Sequence, residues 1–333
     1  MPRRQPVHVL YGGAHLFRGN VAEKMSRLAL QAMDEGRLAE LVGDEITGRV
    51  RAKLQRQAIE DYRIDFEDGY GTRDDSEEDQ HARTAAQALA QCGLPQTGIR
   101  IKSDWRRGER TLKIFLDAAN PLPGGFVLTL PKVFSPREVQ RAAAAAPGIA
   151  LEVMIETPEA LRDARAIVSA GPVVAAHFGP YDFTASLGVP AAAQHLRHPL
   201  CDYARHRLSV ELAGTGVTIS DGPTAILPFG TSEEIRNAWR THIGNIRHAL
   251  ECGIYQGWDL HPAQLPARYA ALFSFYRENL AASQDRWQRY RQASAQATRT
   301  GQVFDDAATV RGLETFFVRG LSCGAFDENE VPK

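Results

Sequence analysis

Glu156 in EVMIETPEAL, Asp182 in HFGPYDFTASLG and Arg100 in GIRIK hold most of the chemical potential of this sequence. The two carboxylates directly follow short β-branched runs, so they can leave adjacent strand ends and face each other. Such a pair binds a hard divalent cation, Mg²⁺ or Mn²⁺, while water fills the remaining positions and leaves room for a bidentate substrate. A guanidinium beside that cation would stabilise negative charge that appears on an oxygen only in the transition state. Arg100 could equally be held in a buried ion pair with Glu67 or Asp68. Those two acids, in DFEDG at 65–69, suit the ordering of metal-bound water or of Arg100, or serve as cap and loop carboxylates. Lys132 reads as a salt-bridge partner or a Schiff-base lysine. His261 reads as an acid/base or the start of a helix, and Asp221 as a cap or loop acid.

Something must bring these residues to one place. Eight short runs rich in β-branched residues recur along the chain, at 7–11, 62–66, 98–102, 126–130, 149–155, 173–178, 217–220 and 255–260. Stretches with helical spacing separate them, among them 21–41, 77–91, 136–145, 158–168 and 233–251, with an extra helix over 46–60. Strand and helix in alternation predict an α/β protein, a (β/α)8 TIM barrel with additional C-terminal helices; an open doubly wound sheet is the alternative. Residues 1–270 are expected to form the catalytic barrel. Residues 271–333 then form a helical extension packed on the barrel or on a neighbouring subunit. In such barrels the βα loops converge at the C-terminal ends of the strands. From the second strand onward each run delivers an ionisable residue at or near that end.

Composition narrows the partners. The 333 residues are 44% hydrophobic and 24% charged with a net charge of −1, which gives no electrostatic reason to expect nucleic acid or an anionic membrane. Cys92, Cys201, Cys252 and Cys323 form no CxxC pair, so a reducing compartment and a cytoplasmic location are expected. No apolar run approaches the ~20 residues of a membrane helix. Gly12-Gly13 and Gly214-Thr215-Gly216 lack the context of a nucleotide fingerprint, and the histidines include no HExxH.

Taken together, DFEDG at 65–69, IRI at 99–101, LPKV at 130–133, EVMIETPEAL at 152–161, HFGPYDFTASLG at 177–188 and LHPAQ at 260–264 resemble, in order and spacing, the motifs of the HpcH/HpaI aldolase and citrate lyase β-subunit family. That family includes malyl-CoA lyases and is akin to malate synthase. The resemblance spans about residues 7–270 and implies a metal-dependent carbon–carbon lyase working through the enolate of a 2-oxo acid such as pyruvate, or of an acyl-CoA. It implies that Glu156 and Asp182 bind the metal and that Arg100 contacts the enolate oxygen. Backbone N–H groups around Gly179, Pro180, Tyr181 and Asp182 would receive the substrate carboxylate. Two regions depart from the family: Arg4-Gln5-Pro6 followed by YGGAH at 11–15, and Gly257-Trp258 ahead of LHP. Both help hold CoA in relatives, so a free 2-oxo acid such as pyruvate or glyoxylate is at least as plausible a substrate. Barrels similar to this one form trimers or hexamers, and Phe273, Phe275, Tyr276, Trp287, Phe316 and Phe317 are expected to supply surface for a neighbour. A thioester hydrolase or a non-catalytic binding barrel is the alternative function.

Overall fold

In the computed structural model, residues 4–119, 121–296 and 307–332 are described. Strands β1 (His8–Gly13), β2 (Tyr62–Asp65), β3 (Thr97–Arg100), β4 (Val127–Leu130), β5 (Ala150–Ile155), β6 (Val173–Phe178), β7 (Thr218–Asp221) and β8 (Gln256–Asp259) coincide with the eight expected runs to within a few residues. They pair in parallel in chain order, and β8 closes back onto β1. The TIM barrel is therefore the fold, and the open-sheet alternative falls. Helices α1 (Val21–Glu35) and α2 (Ala39–Gln57) follow β1. After the next strands come α3 (Asp75–Ala88), α4 (Trp105–Ala118), α5 (Pro136–Ala145), α6 (Pro158–Arg162), α7 (Ala164–Val168), α8 (Pro180–Ser186), α9 (Pro199–Leu212) and α10 (Ser232–Glu251). Helices α11 (Leu265–Gln296) and α12 (Ala307–Cys323) lie beyond the last strand.

Helix starts follow local chemistry. Ser135 and Glu138 form a reciprocal capping box around Pro136 at α5, and Thr231 with Glu234 does the same for α10. Two expected helices divide. The stretch 21–41 breaks because Arg37 adopts φ +52°, a conformation an L side chain rarely takes, so the extra helix begins at Ala39 rather than near Ile46. The stretch 158–168 breaks at Asp163, where φ −98° and ψ 10° leave the helical region.

Alternate strand residues point outward and inward. The outward set, including Ile64, Ile99, Leu128, Val153 and Phe178, packs against the helices in the main core. The inward set is mostly polar. Arg63 lies on the barrel axis with no solvent exposure, donating to Asp61, to Thr129 and, at 2.9 and 2.6 Å, to both oxygens of Glu152. His177 approaches the same Glu152 at 3.2 Å. Above this layer Val9, Tyr11, Met154 and Trp258 form a small apolar plug.

The aromatic residues of the tail do not supply the surface expected of them. Phe273, Tyr276 and Phe317 are buried, and Tyr276, Phe316 and Phe326 pack on one another with centroids 5.2 to 5.8 Å apart, while Trp287 meets Phe317 at 6.1 Å. Among the described residues no helix is long and apolar enough to cross a membrane.

Candidate functional site

Glu156 follows β5, whose inward positions are Glu152 and Met154, so the same alternation brings its side chain into the mouth of the barrel. It is 2% exposed. The loop after β4 closes over it: Lys132 takes φ +49°, a strained position for a residue with a side chain, and its backbone N–H donates to Glu156 Oε1 at 3.0 Å. Gly179 lies directly beneath, where a Cβ would stand 2.6 Å from Glu156 Cγ, so only glycine lets the carboxylate sit there.

Asp182, in the first turn of α8, hydrogen-bonds to Glu156 through its side chain. Burial first, and then the negative charge and hydrogen bond of Asp182, push the Glu156 carboxyl up to about 7. Among the described residues no lysine or arginine forms an ion pair with either acid. Two carboxylates forced together without a direct ion-pair partner suit a divalent cation. Among the described residues no cluster of three or more His, Cys, Asp or Glu side chains could hold a metal. The protein thus offers two charged oxygen donors, and water or substrate must complete the shell of a hard ion.

Arg100 stands at the inward end of β3, 3% exposed, and its partner is Asp65, not the expected Glu67 or Asp68 alone. Nε and Nη2 each donate to one Asp65 oxygen at 2.6 Å, a bidentate fork. Asp65 also accepts the backbone N–H groups of Glu67 at 2.9 Å and Gly69 at 2.7 Å. Burial by itself would raise the Asp65 carboxyl, but the guanidinium and these N–H groups hold it below its ordinary value. Asp68, more than half exposed, reaches Arg100 Nη1 at 3.1 Å. Tyr11 and Trp258 flank the guanidinium, with ring centroids 4.8 and 5.8 Å from its carbon. Nη1 also lies 3.5 Å from the Sδ of Met154, the inward residue two positions before Glu156.

Glu67 accepts from Ser103 Oγ at 2.9 Å and from Lys132 Nζ at 3.1 Å, and Asp68 lies 3.4 Å from the same Nζ. These acids and Lys132 lace the β2, β3 and β4 loops together at the mouth. Partial burial alone would lower the Lys132 pKa, but Asp68 and Glu67 raise it above the ordinary value. An amine kept protonated in this way is a poor Schiff-base nucleophile.

Other expected residues lie in supporting positions. The Gly179 N–H donates to Ile155 O at 3.0 Å and Pro180 has none, which leaves Tyr181 and Asp182 as the backbone donors of that segment. The Tyr181 hydroxyl donates to Pro223 O and accepts from Ala225 N, tying the β6 loop to the β7 loop. His261 Nδ1 accepts from Ala263 N as a helix cap, and Asp221 pairs with Arg205 at 3.0 Å. Asp65, Tyr11, Met154 and Trp258 were not expected at the site from the sequence. The alternation Asp61, Arg63, Asp65 would have put Asp65 on the inward face, whereas nothing local marks Tyr11 or Trp258 as neighbours of Arg100.

The chain belongs to the DUF6986 family, a domain of unknown function whose model matches residues 1–333. None of the curated proteins matches it. Among solved structures it is similar to a citrate lyase from Burkholderia xenovorans LB400, with 21% identity and a TM-score of 0.65 over 99% of this chain and 96% of that one. It is also similar to CitE from Mycobacterium tuberculosis in complex with magnesium, acetoacetate and coenzyme A, with 19% identity and a TM-score of 0.59 over 94% and 97%. A third is the same organism's CitE with magnesium and pyruvate, with 18% identity and a TM-score of 0.56 over 93% and 96%. At these identities the likeness carries the barrel fold.

Proposed function

We propose that this barrel is a Mg²⁺- or Mn²⁺-dependent carbon–carbon lyase or aldolase that acts through the enolate of a 2-oxo acid such as pyruvate. The observation that carries the reading is the Glu156–Asp182 carboxylate pair, ion-paired with no lysine or arginine among the described residues, with the charge of the buried Arg100 close enough to act on Glu156. Glu156 and Asp182 would hold the ion, which when bound supplies a Lewis acid for the 2-oxo acid. Arg100 donates to the carbonyl oxygen as it gains charge. Its fork to Asp65 fixes the plane of the guanidinium beforehand, so little reorganisation is needed when the charge develops. Glu67, Asp68 and Lys132 order the surrounding loops, and the N–H groups of Tyr181 and Asp182 would receive the substrate carboxylate. The CitE structure in complex with magnesium and pyruvate supports the choice of a 2-oxo acid.

The same reading takes residues 1–270 as the catalytic unit and 271–333 as a helical extension. It includes assembly into trimers or hexamers in a cytoplasmic protein. Because the tail's aromatic rings are spent on one another, the surface offered to a neighbour is the exposed Val318 and Leu321 of α12.

The test needs no acceptor. Pyruvate incubated in D₂O with the protein and Mg²⁺ or Mn²⁺ should lose its methyl proton signal faster than in a metal-free control, because the α-hydrogens become labile once the enolate is stabilised. Arg100→Lys should slow the exchange strongly, since an ammonium cannot reproduce the planar fork. Acetyl-CoA run in parallel separates the thioester branch. No exchange with either substrate across both metals and a panel of 2-oxo acids overturns the proposal in favour of a hydrolase or binding barrel.

A further inference from the structure

Among the described residues, five side chains surround the guanidinium of Arg100. Nε and Nη2 are committed to Asp65, and the rings of Tyr11 and Trp258 flank the plane. Nη1 meets Met154 Sδ at 3.5 Å and Asp68 Oδ2 at 3.1 Å. Asp65, Tyr11, Trp258 and Met154 are all buried, whereas the Asp68 side chain is 57% exposed. A molecule arriving from solvent therefore reaches Arg100 where Asp68 now stands, and the oxygen that Nη1 is to serve needs that carboxylate out of the way.

The two carboxylates hold the arginine in different ways. Asp65 makes two aligned hydrogen bonds of 2.6 Å and is itself pinned by the N–H groups of Glu67 and Gly69, so it belongs to the frame. Asp68 makes an ion pair with Nη1 and acts on the guanidinium through its charge. An ion pair with one partner this exposed holds far less strongly than a buried fork. The other oxygen of Asp68 already lies 3.4 Å from Lys132 Nζ, so a second cation stands within reach when the first is taken.

We propose that Asp68 is a displaceable place-holder for the substrate oxygen that gains negative charge: it covers Arg100 Nη1 in the free protein and shifts onto Lys132 when the 2-oxo acid binds. The proposal rests on the enolate reading, which brings that oxygen to Arg100. Exchange of one negatively charged oxygen for another leaves the charge balance around the buried guanidinium unchanged, so the arginine is never left with less compensation than it has now. Asp65 keeps the plane of the fork fixed throughout. Asp68 thus acts through Arg100, as a positioning residue that competes with the ligand, and its removal strengthens binding.

Oxalate, a planar mimic of the enolate, is titrated in the presence of Mn²⁺ and followed by water relaxation. Asp68→Asn should tighten its binding about fivefold, the order set by one exposed ion pair, and Asp68→Glu, which keeps the charge, should not. The same gain should appear as a lower KM for pyruvate in methyl exchange. A loss of loop order would weaken binding instead. Against a background of Arg100→Met with Asp65→Leu, which removes the guanidinium together with its buried counter-charge, Asp68→Asn should alter oxalate affinity by less than about twofold. A gain below about threefold for Asp68→Asn, an equal gain for Asp68→Glu, or a gain that persists without Arg100 overturns the proposal and leaves the enolate reading standing. A parent chain that binds no oxalate with Mn²⁺, or binds it equally well without Arg100, overturns the enolate reading itself, and the role of Asp68 falls with it.

Discussion

Removing the charge of Asp65 while keeping its shape isolates what holds Arg100 in place. The pair is almost fully buried, with side chains 3% and 1% exposed and two hydrogen bonds of 2.6 Å. Taking one partner from such a pair leaves an uncompensated charge and costs about 3–5 kcal/mol. Two corrections apply to Asp65→Asn. Asp68 already lies 3.1 Å from Nη1 and can turn toward it, which reduces the loss. Against this, asparagine keeps a single acceptor oxygen, so the N–H of either Glu67 or Gly69 loses its partner, a further cost of about 1 kcal/mol. The expected net loss is about 3 kcal/mol, read as a shift in the urea midpoint of the metal-free protein at constant m-value. Asp65→Leu with Arg100→Met should recover most of that stability, because an apolar pair does not have to be desolvated, but should abolish methyl exchange. A loss below about 1 kcal/mol for Asp65→Asn would mean that Arg100 is effectively solvated and not pre-oriented.

Glu156→Ala and Asp182→Ala should each abolish metal-dependent stabilisation, which in the parent reaches about 2.7 kcal/mol at a metal concentration 100 times Kd; undiminished thermal shifts in both variants would eliminate this metal site. Gly179→Ala should drive its methyl into Glu156, at 2.6 Å from Cγ, weakening Mn²⁺ binding about tenfold for about 1–3 kcal/mol of stability, and calorimetric titration checks it. His8, wholly buried between barrel and helices, is lowered by burial to about 4. The unfolded chain therefore takes up a proton that the folded chain refuses. That contribution is fully present above about pH 6.5, and about 3 kcal/mol is lost as pH falls from there toward 4. His8→Gln should flatten this part of the pH–stability curve, and an unchanged slope would refute it. Light scattering at micromolar concentration should give a trimer or hexamer, and a monomeric mass would remove the assembly proposal.

The strands were legible because their outward faces are continuous apolar runs that must pack on helices, and their turns carry the caps that start those helices. The carboxylates at 156 and 182 were legible for a related reason: a barrel gathers its strand ends at one mouth, so residues after neighbouring strands must meet. Asp65 escaped because DFEDG offers three acids in five positions. Only the register, which puts Asp65 inward and turns the following loop outward, decides which of them faces Arg100. The left-handed Lys132 escaped for another reason. It depends on a backbone torsion that tertiary packing imposes and that no local residue preference announces. The tail misled in the opposite sense, since a row of aromatic residues looks the same whether it meets a neighbour or packs against its own chain.

The Arg63 layer inside the barrel bears on how such a molecule could be divided. Arg63 belongs to the first four strands and Glu152 and His177 to the last four, and the guanidinium grips both Glu152 oxygens across that seam. A fragment ending after β4 would keep Asp61 and Thr129 but expose the rest of the guanidinium, while its complement would carry Glu152 without the charge that neutralises it. Recombination of the two fragments should therefore be selective for the cognate half and weakened by high salt, and gene splits should be tolerated where the cut leaves β2 and β5 on the same polypeptide.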